Sequence, residues 1–150
     1  MGAALESAKE MTTALEAQEW ARVRRRLADD FVFLNPYSPM PEVPLDQWLG
    51  LNQILANAFS DFTYNFEILE EKGDQAWVAS AFEGTHDHDL DLTPLGMGIV
   101  PATGKHARAN RSISVGTLDA DGKLGSIEVI EEPEGSGLMG LLAQIGVDMG

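Results

Sequence analysis

The sequence predicts an α+β fold in which a curved antiparallel sheet forms a cone around N-terminal helices. Apolar residues recur with helical spacing near the N-terminus, whereas the second half of the chain alternates apolar and polar residues between turn signals. Successive strands without intervening helices pair antiparallel, and the wide mouth of such a cone is a natural ligand cavity. Because the chain has 150 residues and 44% of them are apolar, we expect one domain over residues 1–150.

The helical segments are indicated by apolar stripes. Residues 4–28 carry the first stripe, and its phase slips near residues 16–19, which predicts two helices or one kinked helix. Pro44 suits the first turn of a helix, and a second stripe follows it from residue 45 to about residue 59. The apolar residues at 138–145 predict a short helix that closes the open end of the cone or docks on a partner subunit.

The strands are predicted from alternation and from the turn residues that separate them. They are expected at residues 31–34, 62–68, 76–86, 106–118 and 124–132. Four prolines within residues 35–44 predict a stiff loop, because proline cannot donate a hydrogen bond to a sheet. Residues 87–103 also indicate a loop, and Gly122 can take the positive φ of a hairpin turn.

Composition excludes several classes of function. The net charge of −14 disfavours nucleic-acid binding, which requires lysine and arginine against phosphates. The arginines at 22–26 could form a basic patch, but a solvated helix face is the favoured interpretation. The absence of cysteine excludes disulfides and thiolate metal sites. No apolar run approaches the roughly 18 residues of a membrane span, and charges at Glu6, Lys9 and Glu10 interrupt any signal peptide. We expect a cytoplasmic protein without a membrane partner.

Two histidines suggest a metal site that the sequence does not complete. If the strand continues past its end, His86 and His88 lie on one side of it, and two histidines at this spacing can bind one metal ion. No third ligand is assignable, so we expect no metal and favour a solvated acidic loop. His86 ends an apolar strand face that includes Phe82, where it could act as an acid or base or be a structural histidine.

The last strand offers two carboxylates whose orientation the sequence leaves open. Simple alternation places Glu128 and Glu132 on one face and Glu131 on the other. Whichever face lines the cavity decides whether these acids are functional or only solvated. Arg111 lies on the apolar face of its strand, where it could pair with Glu128 or with a substrate carboxylate.

Tyr37 and Trp48 are candidate substrate contacts at the mouth of the cone, although aromatic residues at helical spacing more often belong to the core. Phe82 is a third candidate. A cavity filled by Trp48, Phe82 and the C-terminal leucines would instead indicate a scaffold.

Four motifs follow one another along the chain. They are Gly84-Thr85-His86, then residues 101–105 (Pro-Ala-Thr-Gly-Lys), then residues 121–124 (Asp-Gly-Lys-Leu), and then Glu131-Glu132-Pro133 before a leucine-rich tail. In this order they resemble the SnoaL-like polyketide cyclases, which have a nuclear transport factor 2-like fold. The resemblance covers nearly the whole chain.

The resemblance implies an enzyme, of the lyase or isomerase class, that acts on a small apolar substrate without cofactor or metal. In such proteins an acid before the proline abstracts a proton next to a carbonyl, and cyclisation follows; here that position is Glu132, a glutamate where the family has aspartate. A bulky residue usually stands four positions earlier, where this chain has Glu128. The resemblance also implies that His86 is a partner or proton donor, and that Asn35 or Arg111 stabilises the oxyanion, although Asn35 could be only a turn residue.

The same fold supports other functions. A dehydratase is one, and an epoxide hydrolase is another, but the latter requires an Asp–Arg–Asp group for which only Arg111 is a plausible member. A non-catalytic binder of apolar ligands or a dimeric scaffold is the alternative outside enzymes. We expect a homodimer through the outer face of the sheet, around Trp77, Ala79 and Ala81, because a sheet covered by helices on one side leaves the other face to solvent or a partner.

Overall fold

The computed structural model describes residues 2–38 and 40–147. Within these residues the helices are α1 (Ala3–Glu16), α2 (Trp20–Arg26), α3 (Leu45–Ala58) and α4 (Gly137–Gln144). The strands are β1 (Leu27–Leu34), β2 (Glu42–Pro44), β3 (Glu67–Lys72), β4 (Gln75–Ser80), β5 (Glu83–Thr85), β6 (Leu90–Asp91), β7 (Ile99–Val100), β8 (His106–Arg108), β9 (Ser112–Leu118) and β10 (Leu124–Glu131). A 3₁₀ turn spans Thr93–Leu95.

The main sheet has six strands in the order β2-β1-β10-β9-β4-β3, and the N-terminal helices cover one side of it. We call that side the inner face: α1 packs across β3, β4 and β9, and α3 packs on β1. The predicted α+β fold is confirmed. One detail differs, because β1 runs parallel to β10 while every other neighbouring pair in this sheet is antiparallel. A parallel pair needs a long connection, and here most of the chain separates the two strands.

Two strands expected to be long are each divided. Residues 76–86 form β4 and then β5, and residues 106–118 form β8 and then β9. β5 and β8 leave the main sheet and pair with each other in a separate two-stranded sheet. At the break, the amide of Ala109 donates a hydrogen bond of 2.7 Å to the carbonyl of Phe82. The two predicted strands are therefore shared between the main sheet and this smaller sheet.

Smaller differences have local causes. Residues 4–28 form two helices, as one of the two alternatives predicted, and Gln18 between them has a left-handed φ of 57°. Residues 62–68 become regular only at Glu67, because Asn65 also takes a left-handed φ, a conformation that asparagine tolerates. Part of the proline-rich loop forms β2, a strand at the edge of the sheet. An edge strand tolerates proline because its outer side needs no N–H group to donate to a neighbouring strand.

Aromatic side chains make up much of the core beneath α3. Trp48 packs against Phe31 and Phe33 of β1, with ring centroids 5.1 and 6.2 Å apart. Tyr64 stacks on Phe66 at 4.8 Å and meets Phe82 edge-on at 5.7 Å. Rigid aromatic packing of this kind fixes the walls of the space between the helices and the sheet. In the part of the chain that the structure describes, no helix combines the length and apolarity needed to cross a membrane.

Candidate active site

A cavity of about 460 Å³ lies between the inner face of the main sheet and helices α1, α3 and α4. Its walls are largely apolar, with leucine, methionine and aromatic side chains from all three helices. Of the residues suggested as substrate contacts, Trp48 and Phe82 line it. The volume falls within the range of about 300–1,000 Å³ typical of small-molecule sites, so the core aromatics do not fill the cone.

Glu132 is the one carboxylate among the described residues that lines this cavity. Ile127 and Val129 also line it, so simple alternation along the strand would have turned Glu132 to the other face. The register of β10 against β9 shifts between Val129 and Glu131, which leaves Ile130 as an additional residue. This bulge restores Glu132 to the cavity side and leaves Glu131 exposed.

Asn35 holds the Glu132 carboxylate. The Asn35 side-chain nitrogen Nδ2 lies 3.2 Å from Oε2 and 3.5 Å from Oε1 of Glu132. Its other end, Oδ1, accepts a hydrogen bond of 3.0 Å from the amide of Tyr37, so the nitrogen is the end that faces the carboxylate. The Asn35 amide in turn donates to the carbonyl of Pro41 at 2.8 Å. A buried asparagine is thus oriented at both ends, just after β1.

Gly137, the first residue of α4, bounds the same carboxylate from the other side. Its φ is +65°, in the left-handed region, and a methyl group built on its Cα would overlap Oε1 of Glu132. Glycine therefore meets two requirements at once: the backbone conformation and the close approach of the glutamate. Sequence analysis did not select this residue, since an isolated glycine before an apolar segment indicates only a helix boundary.

The structure does not bring His86 to the cavity. The chain turns out of the main sheet before β5, and the His86 ring is buried against Phe59 with centroids 5.3 Å apart. Its Nδ1 lies 3.0 Å from the hydroxyl of Thr103, and its backbone amide donates to the carbonyl of Lys105 at 2.8 Å. Burial lowers the pKa of His86, although Asp89 and Asp87 oppose that shift. His86 thus ties β5 to the turn at 101–105, and the expected position across the cavity from Glu132 is not observed.

Three further candidates lie outside the cavity. Arg111 is at the surface with its guanidinium 3.1 Å from Glu67, so the expected pair with Glu128 does not form. Glu128 is exposed on the outer face of the sheet, opposite Val115. Tyr37 is 56% exposed, and its hydroxyl donates to the carbonyl of Ile130 at 2.9 Å. Their placement gives no support to the expected substrate contacts, and it removes the arginine that an epoxide hydrolase would need.

Sequence analysis missed three hydroxyl groups on the inner face. The cavity is lined by Ser80, Ser112 and Ser114. The alternate residues of β9, Ile113 and Val115, do not line it. On β9 the polar face is therefore the one that faces inward. The available signal was chemical: within β9 this face carries small neutral serines, while the basic residues of the predicted strand, His106, Arg108 and Arg111, all precede β9.

The two histidines of the suggested metal pair lie in different surroundings. His86 is buried, whereas His88 is exposed and its Nδ1 lies 3.1 Å from Asp87 Oδ1. Across residues 2–38 and 40–147, no group of three or more histidine, aspartate or glutamate side chains is placed to hold a metal ion.

Known proteins share this architecture. The family model described as SnoaL-like polyketide cyclase matches residues 6–119. IdmH from Streptomyces antibioticus, a candidate polyketide cyclase, is similar with 23% identity, covering 95% of this chain and 97% of its own, at a TM-score of 0.68. AclR from Streptomyces galilaeus, a candidate hydroxylase, is similar with 19% identity over 94% and 93% of the chains, at a TM-score of 0.69.

A nuclear transport factor 2-like protein from Burkholderia thailandensis is also similar, with 17% identity over 99% of this chain and 100% of its own, at a TM-score of 0.69. At these identities the likeness concerns the fold. No curated protein matches the sequence. The family model spans well over half of the chain. The chain therefore belongs to the SnoaL-like polyketide cyclase family.

Proposed function

We propose that this protein is an enzyme that removes a proton next to a carbonyl of a polyketide-like or other apolar substrate, without a cofactor, and then promotes aldol-type cyclisation or isomerisation. One observation carries the proposal: among the described residues, a single carboxylate, that of Glu132, reaches a largely apolar cavity of ligand size and lies within hydrogen-bonding distance of Asn35. A positioned carboxylate is a general base when it reaches an acidic C–H bond.

The steps follow from the donors and acceptors present. Glu132 takes the proton, and the electrons of the broken C–H bond move to the carbonyl oxygen, which becomes an enolate. Asn35 Nδ2 carries two N–H groups, so one can remain on Glu132 while the other donates to the enolate oxygen. The enolate carbon then attacks a second carbonyl of the same substrate to form a C–C bond. Glu132 returns its proton to the new alkoxide, or to a different carbon in an isomerisation.

The apolar walls support this chemistry because they exclude water. Electrostatic interactions are stronger in such a site than in bulk solvent, which favours proton transfer to a fixed group over exchange with water. Trp48 and Phe82 offer flat surfaces on which a ring or a conjugated chain can pack.

Glu132→Gln tests the proposal, with Glu131→Gln as the matched control on the exposed side of the same strand end. The probe is 2-tetralone, a bicyclic ketone whose α-protons exchange in D₂O, and NMR measures the exchange rate. General base catalysis contributes about 10²–10⁴-fold, so Glu132→Gln should lose enzyme-dependent exchange by that factor while Glu131→Gln stays near wild type. Unchanged exchange in Glu132→Gln, or equal losses in both variants, would remove Glu132 from the mechanism.

The second candidate is a non-catalytic binder of apolar ligands, favoured by the predominance of hydrocarbon in the cavity walls. It predicts that 2-naphthol, the aromatic enol counterpart of 2-tetralone, binds in the cavity while 2-tetralone exchanges no faster with the protein than in buffer. Exchange above the buffer rate that depends on Glu132 would exclude this candidate.

A further inference from the structure

The inner face of the sheet becomes more polar toward Glu132. At the far end, β9 presents Gly116 and Leu118 to the cavity, and at the near end it presents Ser112 and Ser114. The cavity-facing side of β4 also becomes more polar toward Glu132, because Ser80 pairs directly with Ser112. Glu131 pairs with Ile113, and the residues that follow this pair on the two antiparallel chains, Glu132 and Ser112, both line the cavity. The serines and Glu132 therefore form one polar end of an apolar cavity.

These hydroxyls have unused hydrogen-bonding capacity. The oxygens of Ser80 and Ser112 are 3.5 Å apart, at the long limit of a hydrogen bond. Ser112 is only 7% exposed, and its hydroxyl makes no other hydrogen bond within the described residues. The Ser114 hydroxyl makes none with any described group. A hydroxyl has one donor and two acceptor positions, and leaving them unused in an apolar space is unfavourable.

We propose that Ser112, supported by Ser80 and Ser114, is a binding subsite for a second oxygen substituent of the ligand, a hydroxyl or carbonyl two ring carbons from the oxygen that Asn35 binds beside Glu132. The inference rests on the proposed function for the position of the first oxygen. Neighbouring side chains across a ladder are about 4.5–5.5 Å apart, which suits oxygens in a 1,3 relationship. The favoured ligands are thus compounds with one hydrocarbon end and one end bearing two oxygens.

Equilibrium binding tests the subsite without turnover. The probes are 2-naphthol and 1,3-dihydroxynaphthalene, which differ by one hydroxyl in the required relationship, and their affinities are measured by quenching of tryptophan fluorescence. A net neutral hydrogen bond corresponds to about a threefold to tenfold change in affinity, so wild type should prefer the dihydroxy compound by that factor. Ser112→Ala should lower this ratio to near one while its affinity for 2-naphthol stays within twofold.

The control is Ser126→Ala, which removes a hydroxyl from β10 at a position that does not line the cavity and should keep the wild-type ratio. A ratio near one in wild type would overturn the subsite and show that the serines are satisfied by ordered water alone. An unchanged ratio in Ser112→Ala would overturn it as well. Loss of exchange in Glu132→Gln together with either result would leave the proposed function standing, so the two failures are distinguishable.

Discussion

Replacing Gly137 with alanine should destabilise the protein through the side chain of Glu132. The substitution has two separate effects. Alanine must adopt the left-handed φ of +65°, which costs about 1–2 kcal/mol for a residue with a Cβ. The new methyl group also overlaps Oε1 of Glu132, so the carboxylate must shift, and we expect this shift to weaken or break its hydrogen bond with Asn35.

A hydrogen bond to a charged group contributes about 1.5–3 kcal/mol, so the two effects together amount to about 2.5–5 kcal/mol. For a chain of this length, each 1 kcal/mol lowers the melting temperature by about 2–4 °C, which gives a fall of about 5–20 °C. Urea unfolding followed by the fluorescence of the three tryptophans measures the free energy of unfolding directly.

Gly73→Ala isolates the backbone contribution. Gly73 has a similar φ of +58°, but a methyl group there meets no atom within 4 Å, so only the strain of about 1–2 kcal/mol is expected. A double-mutant cycle completes the comparison: in a Glu132→Ala background, Gly137→Ala should cost no more than Gly73→Ala does. If Gly137→Ala and Gly73→Ala destabilise the wild type equally, or if the cost at Gly137 is the same without Glu132, the contact with the carboxylate has no energetic role.

Three further predictions concern pH and assembly. Burial lowers the pKa of His86, so protonation of this residue favours the unfolded chain. The free energy of unfolding should therefore fall as the pH drops below about 6.5, and urea titrations of His86→Gln should show a shallower fall than those of the wild type. The hydrogen bonds from Ser60 hold the pKa of Asp87 below its usual range, so the Asp87 carboxylate stabilises the fold above about pH 3.9 and this contribution is lost under more acidic conditions. If the free energy of unfolding of Asp87→Asn falls below about pH 3.9 as steeply as that of the wild type, Asp87 makes no such contribution. We propose that the outer face of the main sheet, with half-buried Trp77 and Ile113, joins two copies in a homodimer; Trp77→Glu should then give monomers in light scattering, and a wild-type monomer at micromolar concentration would refute the proposal.

The fold was predictable because its signals are local. Apolar stripes mark the helices, and glycine-containing motifs mark turns, such as the one at Gly122 with its positive φ. The phase slip near residues 16–19 even indicated the break between α1 and α2. Such features depend on neighbours within a few positions, so the sequence alone reveals them.

The details of the candidate site depend on partners far along the chain. Alternation placed Glu132 on the face opposite Ile127 and Val129, and only the extra residue in β10 brings all three to one cavity. Nothing in the local sequence marks Ile130 as the bulged position. His86 also depends on distant partners. It lies in a recognisable motif, but its contacts with Phe59 and Thr103 hold it outside the cavity, and the spacing of residues in the sequence does not reveal these contacts.

The parallel pairing of β1 with β10 has a consequence for synthesis of the protein. Parallel strands bring their carboxyl ends to the same edge, and Asn35 follows one strand while Glu132 follows the other, 97 positions later. On the ribosome, helices α1, α2 and α3 and the first strand emerge long before the carboxylate exists. A nascent or C-terminally truncated chain can therefore collapse around its apolar residues yet lack the Asn35–Glu132 pair. By the proposed route, catalytic activity requires that β10 has docked beside β1. A substrate analogue that binds at this edge would stabilise the docked state and so favour this last step of folding.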